Sequence, residues 1–356
     1  MATQDDSGIS FKHAHDQQGF RLLELPPALL ETITSENPPV LSVKSLSDDS
    51  SSSGASSNAV LCTPDQTFQL RQVHSSNTLF LVRPSQKEIA VEDAAPTKPD
   101  IVVIGTSKAT LELRPVADVP CASMRPLLRL YNGIQEDCED FETMDYSPAN
   151  IVSRTRKEVW ANVPASDKEC AQAWKELCAF EHMGNSWVPA ASALSRIWKD
   201  WIDSAPLSDT KLSSTFHDHH LRISIEEAGH PHGLHEALLA KLAPNSDMDI
   251  GECRTLDRGK CVAWVGAIIL ESYLRLRDMR VDDFLERWAN HLPEEWREDV
   301  SLEVVKDKYT KPTPSTIRFD EAGTRSGNSK APTGAQGNST GRNRKWHEKF
   351  RVASKT

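Results

Sequence analysis

The sequence predicts an α+β chain in which a small antiparallel β-barrel-like domain comes first and helical modules follow. Three observations predict it. Short apolar runs punctuated by turn residues fill the stretch from Phe20 to about Leu113. Beyond an acidic segment, Glu136 to Asp145, the apolar period changes from two to about 3.6 residues. Past Glu321 the composition turns to Gly, Ser, Asn and Thr with almost no apolar residues, which predicts a disordered end.

The first of these stretches reads as strands. Val40–Val43, Ala59–Cys62, Thr78–Val82 and Ile101–Ile104 are apolar runs of strand length, and Pro64-Asp65, Ser75-Ser76-Asn77 and Pro84-Ser85 separate them as turn chemistry. Asp48 to Asn58, rich in serine, is expected to be a flexible loop. A domain of under about 120 residues interrupted by such a loop buries little core, so its sheet edges stay exposed unless a partner covers them.

In the helical part, Ser166 with Glu169 three residues later forms a capping-box pattern. Cys170, Ala173, Trp174, Leu177 and Cys178 then share one helical face. Phe180 to Val188 reads as two brief strands meeting at Gly184-Asn185. A second amphipathic helix follows, with Leu194, Ile197, Trp198, Trp201 and Ile202 at core spacing. Helix, hairpin, helix is the order of a winged helix. A comparable block follows, with helices expected at Leu234–Leu242, Val262–Leu276 and around Phe284, Leu285, Trp288 and Leu292.

Composition narrows the function. The 356 residues are 38% hydrophobic, enough for two or three domains, and 51 acidic against 41 basic residues give a formal charge of −10. A surface coated throughout by nucleic acid is thereby disfavoured, and any DNA contact must be local. The longest apolar stretch, Val262–Leu270, stops at Glu271 and is too short to span a bilayer, so no membrane association is expected. The N-terminus lacks the basic and apolar regions of a secretion signal, which places the seven scattered cysteines in a reducing compartment as small buried apolar residues.

No motif argues for catalysis or for a cofactor. Gly105-Thr106-Ser107-Lys108 follows a strand, but a phosphate loop needs glycine where Ser107 stands. His235-Glu236 opens a zinc-peptidase pattern whose second histidine is replaced by Leu239. His217, His219, His220, His230, His232 and His235 crowd into nineteen residues, with Asp218, Cys253 and Cys261 as further donors, but no pair has standard ligand spacing, and no metal is expected. Glu139, Asp140 and Glu142 read as a solvated acidic loop.

Charge is segregated between an acidic body and a basic end. Arg342, Arg344, Lys345, Lys349, Arg351 and Lys355 surround Trp346 and Phe350, a composition suited to phosphate contact with an aromatic stacked on a base.

One set of segments carries a family resemblance. Phe20-Arg21-Leu22-Leu23-Glu24-Leu25-Pro26-Pro27-Ala28-Leu29-Leu30, then Ala59–Thr63, then Ser75–Val82, resemble in order and spacing the sister chromatid cohesion subunit of the alternative clamp loader. Glu176–Glu181 with Gly184 and Trp187, and Phe284–Trp288 with Leu292-Pro293-Glu294, are similar to that family's winged-helix landmarks. The resemblance runs from Phe20 to about Phe319 and implies a non-catalytic subunit of a nuclear replication factor C complex that supports clamp loading and cohesion during DNA replication. It implies as partners a small cohesion subunit and the C-terminal segment of the large clamp-loader subunit, which complete the β-barrel. Polymerase epsilon is a further implied partner, as is DNA held mainly through its backbone. A third winged helix is expected to begin near Glu295 and to include an aromatic-basic segment echoed by Lys345–Arg351. With Thr356 as the last residue, that module is expected to be incomplete.

The expected organisation is therefore a partner-dependent β-barrel domain over 1–119, an acidic linker over 120–147, and winged helices over 148–208 and 209–293. Residues 294–356 form an incomplete third winged helix with a disordered basic tail. Leu22, Leu23 and Leu25 are the expected partner-binding residues, and Arg342, Arg344, Lys345, Lys349 and Arg351 the expected nucleic-acid contacts. A winged-helix transcription regulator is the alternative. It requires a basic recognition helix, whereas Asp167–Leu177 carries Asp167, Glu169 and Glu176 against Lys168 and Lys175.

Overall fold

The computed structural model describes residues 11–17, 19–45, 59–84, 101–116, 118–133, 153–244, 253–274 and 277–320. It is a mixed α+β protein. Among the described residues, no helix is long and apolar enough to cross a membrane.

The N-terminal part is one sheet built on a long hairpin. Its elements are β1 (Phe11–His13), β2 (Leu22–Glu24), α1 (Pro27–Ile33), β3 (Ser42–Lys44), β4 (Val60–Cys62), β5 (Thr67–Pro84) and β6 (Ile101–Val116). The sheet order is β1-β6-β5-β4-β3, with β2 also paired to β6. From β3 to β6 all pairings are antiparallel, but β1 and β2 lie parallel to β6 at two stations along it, Phe11 opposite Ile101 and Leu22 opposite Thr110. An all-antiparallel barrel is thus corrected to a mixed sheet that does not close: among the described residues the outer edges of β3 and of β1 and β2 pair with nothing. Three-residue edge strands offer too few ladder bonds to zip the two rims together.

One expected turn is absent, and the loop-like Gly105–Lys108 motif lies within a strand, for the same reason. Ser75-Ser76-Asn77 lies inside β5, and Gly105–Lys108 lies inside β6. These strands pair along most of their length, and the irregular residues are absorbed in register shifts between His74 and Leu79 and between Leu81 and Val82. Cross-strand pairing outweighs local turn propensity here. Beneath the sheet, Leu29 of α1 meets Leu61, Phe68 and Leu113, with Leu25, Ile33 and Leu70 packed around them. That core is small for the length of strand it supports.

Residues 121–131, assigned above to the linker, are structured: α2 (Cys121–Met124), a 3-10 turn and β7 (Arg129–Tyr131). Apolar spacing explains this, since Met124 and Leu128 are buried beside Val159, Val163, Cys170, Ala173 and Leu177. The last five come from α3 (Arg156–Asn162), α4 (Asp167–Glu176) and their flanks. Each helix begins in a capping box, Thr155 with Glu158 and Ser166 with Glu169, which satisfies N–H groups that the first turn leaves unpaired. β8 (Phe180–His182) and β9 (Asn185–Pro189) follow, joined through Met183 and Gly184, both with positive φ. The tight turn thus sits one residue earlier than Gly184-Asn185, and Gly184 supplies a conformation that costs other residues energy. β7 adds to β9 in parallel to complete a three-stranded sheet.

α5 (Ala191–Ser204) turns Ile197, Trp198 and Trp201 into a second, larger core. That core continues through β10 (Phe216–His217), α6 (His219–Glu227), α7 (His232–Leu242) and α8 (Arg258–Leu274), while β11 (Cys253–Arg254) pairs with β10 beside it. It ends with β12 (Met279–Arg280), α9 (Val281–Asn290), β13 (Tyr309–Thr313) and β14 (Thr316–Phe319). Residues assigned to 148–208 and to 209–293 therefore share one core. α8 lies at its centre, and Trp288 of α9 donates its indole N–H to the Val262 carbonyl at 3.0 Å. α6 breaks the expected pattern, because His219, His220 and Arg222 obscure the buried pair Leu221 and Ile225.

Candidate docking surface

The open sheet places its two rims on different supports. On one rim, Leu22 and Leu23 pair with Thr110 and Leu111 of β6. Leu25 packs against the small core, Leu22 is half-buried, and Leu23 is 41% exposed. Of the three residues expected to bind a partner, Leu25 braces the domain from below, Leu22 is half-buried beside it, and Leu23 faces outward from a strand whose outer edge pairs with nothing among the described residues.

On the other rim, β3 exposes Val43 to 67%, and Val40 just before it reaches 87%. Beside it runs a groove of about 780 Å³ between the sheet and α3, lined by Val40, Lys44, Cys62, Thr155, Arg156 and Trp160 among others. Lys44 bridges the groove floor, donating to the Trp160 carbonyl at 3.1 Å and the Ala165 carbonyl at 2.7 Å. Arg156 is stacked over Trp160 at 4.4 Å and stands 5.3 Å from Trp174, a cation held by ring faces on the helical wall.

At the far end of the hairpin, Phe11 meets Phe80 edge-on at 5.6 Å, and His13 meets the same ring at 6.1 Å. Both phenylalanines remain about half exposed. Such a pair belongs to no core among the described residues and extends the apolar surface of the sheet.

Besides Lys44, a polar joint at Thr67 holds the sheet to the helical body. The Thr67 hydroxyl donates to the Glu169 carboxylate and accepts the Ser166 N–H at 2.7 Å, inserting a strand residue into the capping box of α4. The Lys168 N–H donates to the Pro64 carbonyl at 3.1 Å. The capping box was visible in sequence; its third member, Thr67, was not, since nothing local ties it to a helix beginning a hundred residues later.

Two buried histidines lie in the helical body. The His230 ring is within 2.7 Å of the Tyr131 hydroxyl, and burial lowers its pKa, an effect opposed by Asp200 and assisted by Arg196. Burial also lowers His235, against the pull of Asp218 and Glu236. Of the cysteines, Cys62, Cys170, Cys178 and Cys261 are buried, and burial raises each thiol, Cys170 to about 11 and Cys178 to about 12. They are packing residues and poor nucleophiles. Cys138, the acidic segment 136–145 and the tail residues Arg342, Arg344, Lys345, Lys349 and Arg351 lie outside the described residues.

On these grounds the class is a mixed α+β protein that carries an open-edged sheet on a helical body. Within that class, comparison with known proteins shows the family: the description "Sister chromatid cohesion protein Dcc1" matches residues 20–321. The chain belongs to the Dcc1 family. It is similar to the sister chromatid cohesion protein DCC1 of Saccharomyces cerevisiae, with 24% identity over 314 residues, covering 84% of this chain and 79% of the yeast protein. The family places the chain in sister chromatid cohesion and is named for that process, not for a catalysed reaction.

Proposed function

We propose that this chain is a non-catalytic subunit of the alternative replication factor C clamp loader in the nucleus, linking the loader to DNA and polymerase epsilon while the sliding clamp is loaded. The observation that carries this reading is the pair of bare rims, Leu23 on β2 and Val43 on β3, on a sheet with a small core. Unpaired, apolar strand edges are templates for strand addition. A small cohesion subunit and the C-terminal segment of the large clamp-loader subunit would supply the missing strands and close a barrel. The helices and short hairpins that follow would act as winged-helix modules toward DNA and the polymerase. A transcription regulator is disfavoured by α4, whose first turn carries Asp167 and Glu169, with Glu169 committed to Thr67 and Ser166.

Co-purification of the tagged chain followed by mass spectrometry tests the reading, with Leu23→Asp as the comparison. Because Leu23 is 41% exposed, the substitution should alter the stability of the chain itself by only about 0.5 kcal/mol. In an assembled sheet it would bury an unpaired carboxylate at a cost of several kcal/mol. Clamp-loader subunits should be recovered with the wild type and lost with Leu23→Asp; recovery of none, or equal recovery with both, would reject the role assigned to this rim.

A further inference from the structure

His235 is fully buried, yet neither ring nitrogen has a hydrogen-bond partner among the described residues. Leaving a buried polar group unpaired is costly, and native proteins rarely do so without a reason. The Asp218 carboxylate is 3.7 Å from Nε2, beyond hydrogen-bond reach. Asp218 arrives from the junction of β10 and α6, while Glu236 follows His235 on α7. One donor atom from each of the three residues lies within 4.8 Å of the others.

A cation already stands beside the two carboxylates. Arg254 on β11 brings Nε to 3.3 Å from Asp218 and a terminal nitrogen to 3.8 Å from Glu236. It leaves both imidazole nitrogens without a hydrogen bond. The guanidinium therefore answers the charge of the cluster and not its nitrogen donor.

We propose that Asp218, His235 and Glu236 form a binding site for a divalent first-row transition-metal ion of the zinc type, with Arg254 as the internal cation that the ion displaces. One imidazole with two carboxylates is a donor set that suits such ions, whereas calcium and magnesium take oxygen alone. Bonds of about 2.1 Å to a tetrahedral ion require donors roughly 3.4 Å apart, so the cluster must contract. Glu236, whose side chain is 48% exposed, has the freedom to swing inward, and Arg254, at 26%, lies near enough to solvent to swing out. Three protein ligands leave a fourth position for water. The ion would tie the start of α6 to α7 and complete the coordination that His235 lacks.

Cobalt(II), whose visible absorption reports coordination, is titrated into the chelator-treated full-length chain with its co-purified partners, and zinc is then used to displace it. Saturable binding at one equivalent is expected. Arg254→Gln should tighten it about tenfold by removing a competing charge. Asp218→Asn and Glu236→Gln should each weaken it by at least about a hundredfold, since the loss of even an outer-shell partner costs 10–100-fold. These two substitutions lie outside the sealed core, so folding can be verified by circular dichroism without the risk to the helix that His235→Gln carries. Zinc should also raise the melting temperature of the wild type and not of Asp218→Asn. The proposal is overturned if neither wild type nor Arg254→Gln binds saturably, or if binding survives Asp218→Asn and Glu236→Gln. It is equally overturned if binding is lost in Cys253→Ser instead, which would move the ion to the exposed His217 and Cys253 pair, 3.8 Å apart.

Discussion

Thr67 completes the capping box of a helix to which it does not belong, donating its hydroxyl to Glu169 and accepting the backbone N–H of Ser166 at 2.7 Å. This joint, with Lys44 reaching the carbonyls of Trp160 and Ala165, fixes the open sheet on the helical body and sets the width of the groove beside β3.

Thr67→Val preserves shape and removes both hydrogen bonds. It leaves the half-buried Glu169 carboxylate one donor short, with only Ser166 still donating to it, so a loss of about 1–3 kcal/mol is expected in denaturant unfolding. Hydrogen exchange should rise in β4 and the start of β5 while α8 stays protected. An unchanged exchange pattern would show that apolar contacts alone hold the joint.

The approach of α8 to α9 predicts a sharp contrast between two glycines. A Cβ on Gly266 would lie 2.5 Å from the Trp288 ring, whereas one on Gly259 meets only an Asp257 oxygen at 3.5 Å. Gly266→Ala should destabilise by about 1–3 kcal/mol or more through overpacking. Gly259→Ala, in the same helix, should be neutral or stabilising by up to about 1 kcal/mol. Thermal melts of the two variants decide it.

His230 gives the stability curve a direction. Its folded-state pKa is lowered from the ordinary value of about 6.5, first by burial, and Asp200 opposes this while Arg196 adds to it. As pH falls below about 6.5 the unfolded chain takes up the proton first, so stability is full above that value and is lost down to the lowered folded pKa. His235 acts in the same sense, so His230→Gln should make the decline between pH 7.5 and 5.5 shallower without abolishing it. Urea unfolding at three pH values measures the slope; an equal slope in the variant would assign the loss to other groups.

The basic end invites a salt titration. If Arg342, Arg344, Lys345, Lys349 and Arg351 hold DNA, neutralising about four phosphates gives a log–log salt slope of roughly −3 to −4 with little sequence preference. Replacing all five with alanine should flatten that slope. A slope unchanged by the substitutions would move the contact to the folded modules, and strong preference for one duplex would favour the regulator alternative.

What the sequence by itself determined is local. The 3.6-residue period located α4, α5, α7, α8 and α9, because burying one face of a helix imposes that spacing on the residues that form it. Ser166 with Glu169 marked a helix start, and the glycine at 184 marked a hairpin to within one residue. α6 stayed hidden because polar residues outnumber its two buried ones, and the turn residues inside β5 and β6 misled because their pairing partner was out of view. Tertiary structure alone decided that the sheet remains open, that Thr67 docks on α4, and that Asp218 meets His235 and Glu236. These are relations between separate elements, set by how edges and helix ends satisfy one another in space, and no periodicity records them.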